Sequence, residues 1–212
     1  MKTIINLLIL IALGIFLDSC ATAKIYESPD ARDLARNENL IAILPPIVTI
    51  EAKKNVEAEA IKEQQIKESL NFQKEMYSWI LQRKMEGKVV QEIMDIETTN
   101  AILNNAGYPE KVLQPYEMCQ LLGVDATLGS NYSITKPMST GAAVALAVVG
   151  VFGPTNRVSA SLNIKDCMAN KEIWHYEHEF SGSLGSSSRL LVDALMRNAS
   201  KKMPYVIEEK VK

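Results

Sequence analysis

The chain has 212 residues, 47% of them hydrophobic, with 23 Lys and Arg against 25 Asp and Glu for a net charge of −2. That length and apolar fraction suit one soluble domain with a core of ordinary size. A near-neutral chain without a basic patch of interleaved aromatics does not have the profile of a nucleic-acid binder.

The first twenty residues read MKTIINLLILIALGIFLDSC. Lys2 precedes an apolar run from Ile4 to Leu17, the charged start and greasy centre of a secretory signal. The run is short for a membrane span, which needs about 20 apolar residues. Residues 1–19 therefore read as a signal peptide, and removing them takes away Lys2 and Asp18 and leaves the net charge unchanged. Leu17-Asp18-Ser19-Cys20 resembles a bacterial lipobox, with an aliphatic residue three before the cysteine and a small one just before it. The resemblance implies that Cys20 carries covalent lipid and becomes the first residue of the mature chain. Each buried methylene of an acyl chain contributes about 0.8 kcal/mol, so several chains hold firmly. Asp18 stands where that pattern has a small or uncharged residue, and an ordinary signal peptide with a chance cysteine is the alternative. Ala21-Thr22-Ala23-Lys24 has neither an Asp next to the cysteine nor an acidic run. By resemblance to Gram-negative lipoproteins, this implies the periplasmic leaflet of the outer membrane. That compartment is oxidising and permits a disulfide between Cys119 and Cys167; two inert buried thiols are the other reading.

Residues 20–38 are polar and contain Pro29, which reads as a lipidated N-terminus and tether ahead of a domain over 39–207, with a short tail at 208–212. NLIAILPP (39–46) reads as a buried strand ended by Pro45, which has no N–H to donate. Residues 53–87 are rich in helix formers, with Val56, Ile66, Leu70, Tyr77 and Leu81 near one face and Glu57, Lys67, Lys74 and Lys84 on the other. KVVQEIMD (88–95) reads as a short strand. Two helices follow: 96–108, capped by Thr98 or Thr99 and closed by Gly107, and 114–123, with Pro115 early and Gly123 at its end. Strands are predicted over 124–135, 157–166 and 172–180 from their alternation, the last two joined as a hairpin through 167–171. A final amphipathic helix spans 189–203. The expected class is α/β: a single mixed sheet of four to five strands with helices packed on it.

LIAILPP, LLGVDATLGSNY and LNIKDCMANKEIWHYE carry a family resemblance. They are similar to the opening strand, the lead-in to a central strand, and the Asp–turn–Trp hairpin of TolB N-terminal-like lipoproteins. The wider group includes the curli secretion channel lipoprotein and the lipoprotein activators of penicillin-binding proteins. The resemblance implies that fold over most of residues 39–204. It is poorly specific for function, because one fold hosts several jobs.

The residues that carry chemistry are few. His175 and His178 lie three apart on a predicted strand, point to opposite faces and cannot chelate one metal together. Cys119 and Cys167 form no closely spaced metal or redox pair. GSLGSSS before the last helix lacks the lysine and spacing of a phosphate loop and reads as a helix start. Asp125 and Asp166 sit at strand ends and can meet across a hairpin, which usually marks turn residues rather than catalysis. No catalytic residue, metal or cofactor is expected beyond the lipid on Cys20.

The stretch STGAAVALAVVGVFGPTN (139–156) has no charged residue. From Gly141 to Phe152 it spans about 18 Å as a helix, too short for a bilayer. As a strand it is long enough, but it lacks the alternation of a pore-lining strand. Three readings stand: packing on the domain's own surface, docking to another protein, or contact with the membrane interface. The expected partner contacts are Ala142, Val144, Leu146, Val148, Val149, Val151 and Phe152, together with the exposed face of the 53–87 helix. The expected function is a non-enzymatic interaction or assembly factor of the envelope, its partners the outer membrane through lipid and an envelope protein or a second copy. The alternative is an oligomeric secretion-channel subunit.

Overall fold

The computed structural model describes residues 23–51, 57–135, 157–181 and 188–207. In chain order the elements are β1 (Lys24–Glu27), α1 (Ala31–Asn37), β2 (Leu40–Ile43), β3 (Ile47–Ile50), α2 (Ala58–Met85), β4 (Glu92–Ile93), α3 (Ile96–Asn105), α4 (Pro115–Leu122), β5 (Ala126–Thr135), β6 (Arg157–Asp166), β7 (Lys171–Ser181) and α5 (Ser188–Ala199). The strands form one mixed sheet in the order β1-β7-β6-β5-β2-β4, with β3 also on β5. That is seven strands, where the sequence led us to expect four or five.

Two of the additional strands have plain causes. Strand pairing does break at Pro45 and Pro46, which have no N–H, but it then resumes. β2 and β3 both run parallel to β5, Ile43 opposite Leu128 and Ile47 opposite Asn131. The second is β1. Residues 24–37, read from sequence as tether, are folded: β1 pairs antiparallel with β7, and α1 buries Ala31 and Ala35 in the core. Lys24, Ile25, Tyr26 and Glu27 are all ladder residues. All four are exposed, as on an edge strand, so no alternation of buried and exposed residues marks it in the sequence. By contrast, 88–95 yields only the two-residue β4.

β5, β6 and β7 make an antiparallel meander whose even-numbered residues face one way. Leu128, Tyr132, Ile134, Val158, Ala160, Leu162, Ile164, Trp174, Tyr176 and Phe180 fill the main core beneath α2 and α5. A bulge between Ile164 and Lys165 leaves Ile173 as the extra residue in β7; it is fully buried, and its carbonyl accepts the Ser28 N–H at 2.9 Å. On the opposite face, α3 and α4 cover only the β2 side, where Ala42, Leu103, Leu113, Leu122 and Val124 form a second cluster. Beyond them Asn131, Ser133, Ser159, Ser161, Asn163, His175 and Glu177 leave that face polar and unburied. At Gly129 a Cβ would sit 2.4 Å from Asn163 Oδ1, so any other residue there would displace the Asn163 side chain.

The helix ends follow from local chemistry. Asp95, rather than a threonine, caps α3 by accepting the Thr98 N–H. Gln114 and Glu117 form a capping box at α4 with Pro115 at its first turn, and Gly123 closes that helix at φ +63°.

α2 corrects the face assigned from sequence. Its buried residues are Glu68, Phe72, Gln73, Met76, Trp79 and Ile80. Phe72 stacks on Tyr132 with ring centroids 3.9 Å apart, and the Met76 sulfur accepts the hydroxyls of Ser130 (3.4 Å) and Tyr132 (3.3 Å). Ile66 and Leu70 remain about half exposed. The buried stripe is interrupted by Glu68 and Gln73, which blurs its apolar pattern in the sequence. We expect Phe72→Ala to cost about 3–5 kcal/mol of stability and Leu70→Ala less than about 1 kcal/mol, as read by urea denaturation. The reverse order would place the helix face where the sequence first put it.

Candidate interaction surface

The expected site residues divide by location. Cys20 and the contact set Ala142, Val144, Leu146, Val148, Val149, Val151 and Phe152 lie outside the described residues. Cys119 and Cys167 lie within them, joined by a disulfide with Cα atoms 5.7 Å apart. It ties α4 to the β6–β7 turn across a sequence separation of 48. Closing a loop of that order contributes about 2–4 kcal/mol.

The outer side of α2 is the other expected surface. Ile66, Leu70, Tyr77 and Leu81 recur at spacings that keep them on one side of a helix. Ile66 and Leu70 are 49% and 48% exposed, whereas Tyr77 is partly buried against the main core and Leu81 is intermediate. Lys67 and Lys74 are exposed beside this stripe. Lys84 is not available to a partner: its Nζ donates to the carbonyls of Val90 and Gln91 and to Glu92 Oε1 at 2.8 Å. Arg83 lies over the Trp79 ring at 4.5 Å and pairs with Glu86. The helix is held in place from within by a buried amide exchange, Gln73 Nε2 to Asn100 Oδ1 at 2.9 Å and Asn100 Nδ2 to Gln73 Oε1 at 2.8 Å. Glu68, also buried, accepts from Gln64 and from the Ser188 hydroxyl at the start of α5.

The two histidines do point to opposite faces. His175 Nδ1 stands 3.3 Å from Glu172 on the open face. His178 sits in an aromatic row between Tyr176 and Phe180, and burial holds its pKa below the usual value. Among the described residues no group of three or more His, Cys, Asp or Glu is arranged to hold a metal. A groove of about 340 Å³ beside α4 is lined by Ala106, Lys111, Leu113, Glu117, Gln120 and Leu121. Its Glu117 is engaged in the α4 cap, accepting the Gln114 N–H at 2.8 Å.

A polar corner at one end of the sheet was not anticipated in full. Asp125 accepts the N–H groups of Asn39 (2.8 Å) and Leu40 (3.0 Å), and its carbonyl accepts Cys167 N–H. Asp166, opposite Ala126, accepts the Ala169 N–H in the β6–β7 turn. Asp166 thus serves a turn, whereas Asp125 joins the start of β2 to that of β5. Between them lies Glu38, buried at the α1–β2 join, which accepts a hydrogen bond from the Tyr205 hydroxyl. Nothing in the sequence around Glu38 separates it from a surface glutamate. Burial, reinforced by Asp166 and Asp125, pushes its carboxyl up to about 8. Burial and the same carboxylates hold the Tyr205 hydroxyl well above its usual range.

No protein-family profile matches the chain, and no curated protein matches it in sequence. Solved structures similar in outline include lipoprotein GNA1162 from Neisseria meningitidis, at 15% identity, covering 77% of this chain and 95% of that one, with a TM-score of 0.42. The PelC dodecamer from Paraburkholderia phytofirmans matches at 9% identity, over 90% and 100%, with a TM-score of 0.40. The LpoB C-terminal domain from Salmonella enterica matches at 9% identity, over 71% and 95%, with a TM-score of 0.36. At these scores the likeness carries no functional argument, and the TolB N-terminal-like assignment rests on the sequence motifs.

Glu38 sets a pH dependence. An unfolded glutamate loses its proton near 4.5, while the folded chain keeps it to about 8. Between those values the folded state binds the extra proton, so this group's contribution to stability falls as pH rises. Glutamine reproduces the protonated group, accepting from Tyr205 and donating to Asp166. The melting temperature of Glu38→Gln relative to wild type should therefore climb from about pH 5 to about pH 9. A constant difference across that range would contradict the assignment.

Proposed function

We propose that this chain is a lipid-anchored envelope protein that works by binding another protein rather than by catalysis. Cys20 fixes it to the periplasmic leaflet of the outer membrane, and the outer side of α2 recognises the partner. The observation that carries this reading is the half-exposed pair Ile66 and Leu70, one turn apart on the outer side of a 28-residue helix whose core face is already filled by Phe72, Met76, Trp79 and Ile80. Contiguous exposed apolar surface of this kind marks interaction sites, and an apolar helix face is a common recognition element. Lys67 and Lys74 alongside suit a partner with carboxylates at the rim of its groove. The MKTIINLLILIALGIFLDSC leader supports the location.

The oligomeric channel subunit remains the second reading. It requires a membrane-inserting element, for which residues 139–156 are the candidate, and these lie outside the described residues.

A photo-crosslinking residue at position 70 tests the first reading in cells. The expected result is a discrete adduct of this chain with one other envelope protein, while the same residue at the solvent-facing Lys62 gives none. An adduct only with a second copy of this chain would move the argument to self-association, and no adduct at position 70 would remove α2 as the contact. Cys20→Ala should also shift the protein from the membrane fraction to the soluble fraction.

A further inference from the structure

The way β1 joins the sheet orients the domain on its anchor. β1 is antiparallel to β7, with Lys24 opposite Glu177 and Glu27 opposite Trp174. Residues before Lys24 therefore approach from the end of the sheet where β7 finishes. There Ser181 lies opposite Arg157, Arg157 opposite Thr135, and Ile50 opposite Ile134. The corner with Glu38, Asp125, Asp166 and the Cys119–Cys167 disulfide is at the other end. β6 separates the two ends by about 30 Å, ten residues at about 3.3 Å each.

The reach of the anchor is short. Cys20 is four residues from Lys24, so its Cα lies at most about 14 Å from that of Lys24. β7 itself runs four residues beyond the Lys24 partner, from Glu177 to Ser181, which is about 13 Å. A fully extended anchor thus brings Cys20 only level with the end of the sheet. The domain has no room to stand off from the lipid.

We infer that the sheet end formed by Ile50, Thr135, Arg157 and Ser181 rests against the lipid headgroups, with the Glu38–disulfide corner facing away from the membrane. This rests on the lipidation of Cys20 in the proposed function. Two features agree with end-on rather than side-on placement. The β1 side of the domain carries charges at Glu27, Arg32, Asp33, Arg36 and Glu177, which favour water. The connection from Thr135 to Arg157 leaves and returns at the proposed membrane end, and its residues 136–156 carry one charge, Lys136.

The test uses the full acylated chain, purified from membranes and reconstituted into phosphatidylethanolamine–phosphatidylglycerol vesicles that contain a nitroxide-headgroup lipid. A fluorescent amino acid is placed either at Glu51, exposed next to Ile50, or at Met168, 92% exposed at the opposite end. Nitroxide quenching at position 51 should exceed that at position 168 several-fold. Equal quenching at both positions, or stronger quenching at 168, in a chain whose intact mass shows acylation would overturn the orientation while leaving the anchor in place. A chain that lacks the acyl mass and fails to float with the vesicles would overturn the anchor and the orientation together.

Discussion

Tyr132 is the point on which the helical layer is seated. It lies mid-way along β5, the strand that pairs over its full length with β6 on one side and with the broken β2–β3 run on the other. Its ring stacks under Phe72, and its hydroxyl meets the Met76 sulfur. Stacked aromatic contact adds about 0.5–1.5 kcal/mol beyond the area it buries. More important is what it fixes: with Phe72 and Met76 held over β5, the rotation of α2 about its own axis is set. Ile66 and Leu70 then fall to the outer side, with Tyr77 at the margin of the core. The exposed apolar pair on α2 follows from how the core is packed.

The two ends of the sheet differ in chemistry. One end is closed by hydrogen bonds and a covalent link: Asp125 gathers the β2 start, Asp166 gathers the β6–β7 turn, Glu38 takes the Tyr205 hydroxyl, and the disulfide holds α4 to the same turn. Lys171 adds an ion pair to Asp30, whose carboxyl it holds below the usual range. The other end receives the N-terminal approach to β1 and the connection between β5 and β6.

Much of this architecture was legible in the sequence, and the misses have physical causes. The strict alternation of 157–166 and the turn at 167–171 placed the β6–β7 hairpin, and Pro115 with Gly123 bracketed α4 closely. β1 escaped because an edge strand of four exposed residues has no hydrophobic pattern. β3 escaped because two prolines ordinarily end a strand, whereas here they interrupt one that resumes on the same neighbour. The α2 face was misassigned because polar Glu68 and Gln73 are buried with hydrogen-bond partners, while apolar Ile66 and Leu70 are not. Asp125 and Asp166 were foreseen as strand-end residues that can meet; Glu38, which joins them, carried no signal because its burial is created by Tyr205 from the far end of the chain.

The most direct measurement is the native mass of the protein extracted from membranes in mild detergent, wild type beside the double variant Ile66→Asp, Leu70→Asp. Both positions are about half exposed, so the variant should fold. The account predicts that wild type runs as a complex with one different protein and that the variant runs as a monomer with an unchanged melting temperature. A wild-type mass equal to that of a single chain, or a complex that survives the double substitution, would contradict it.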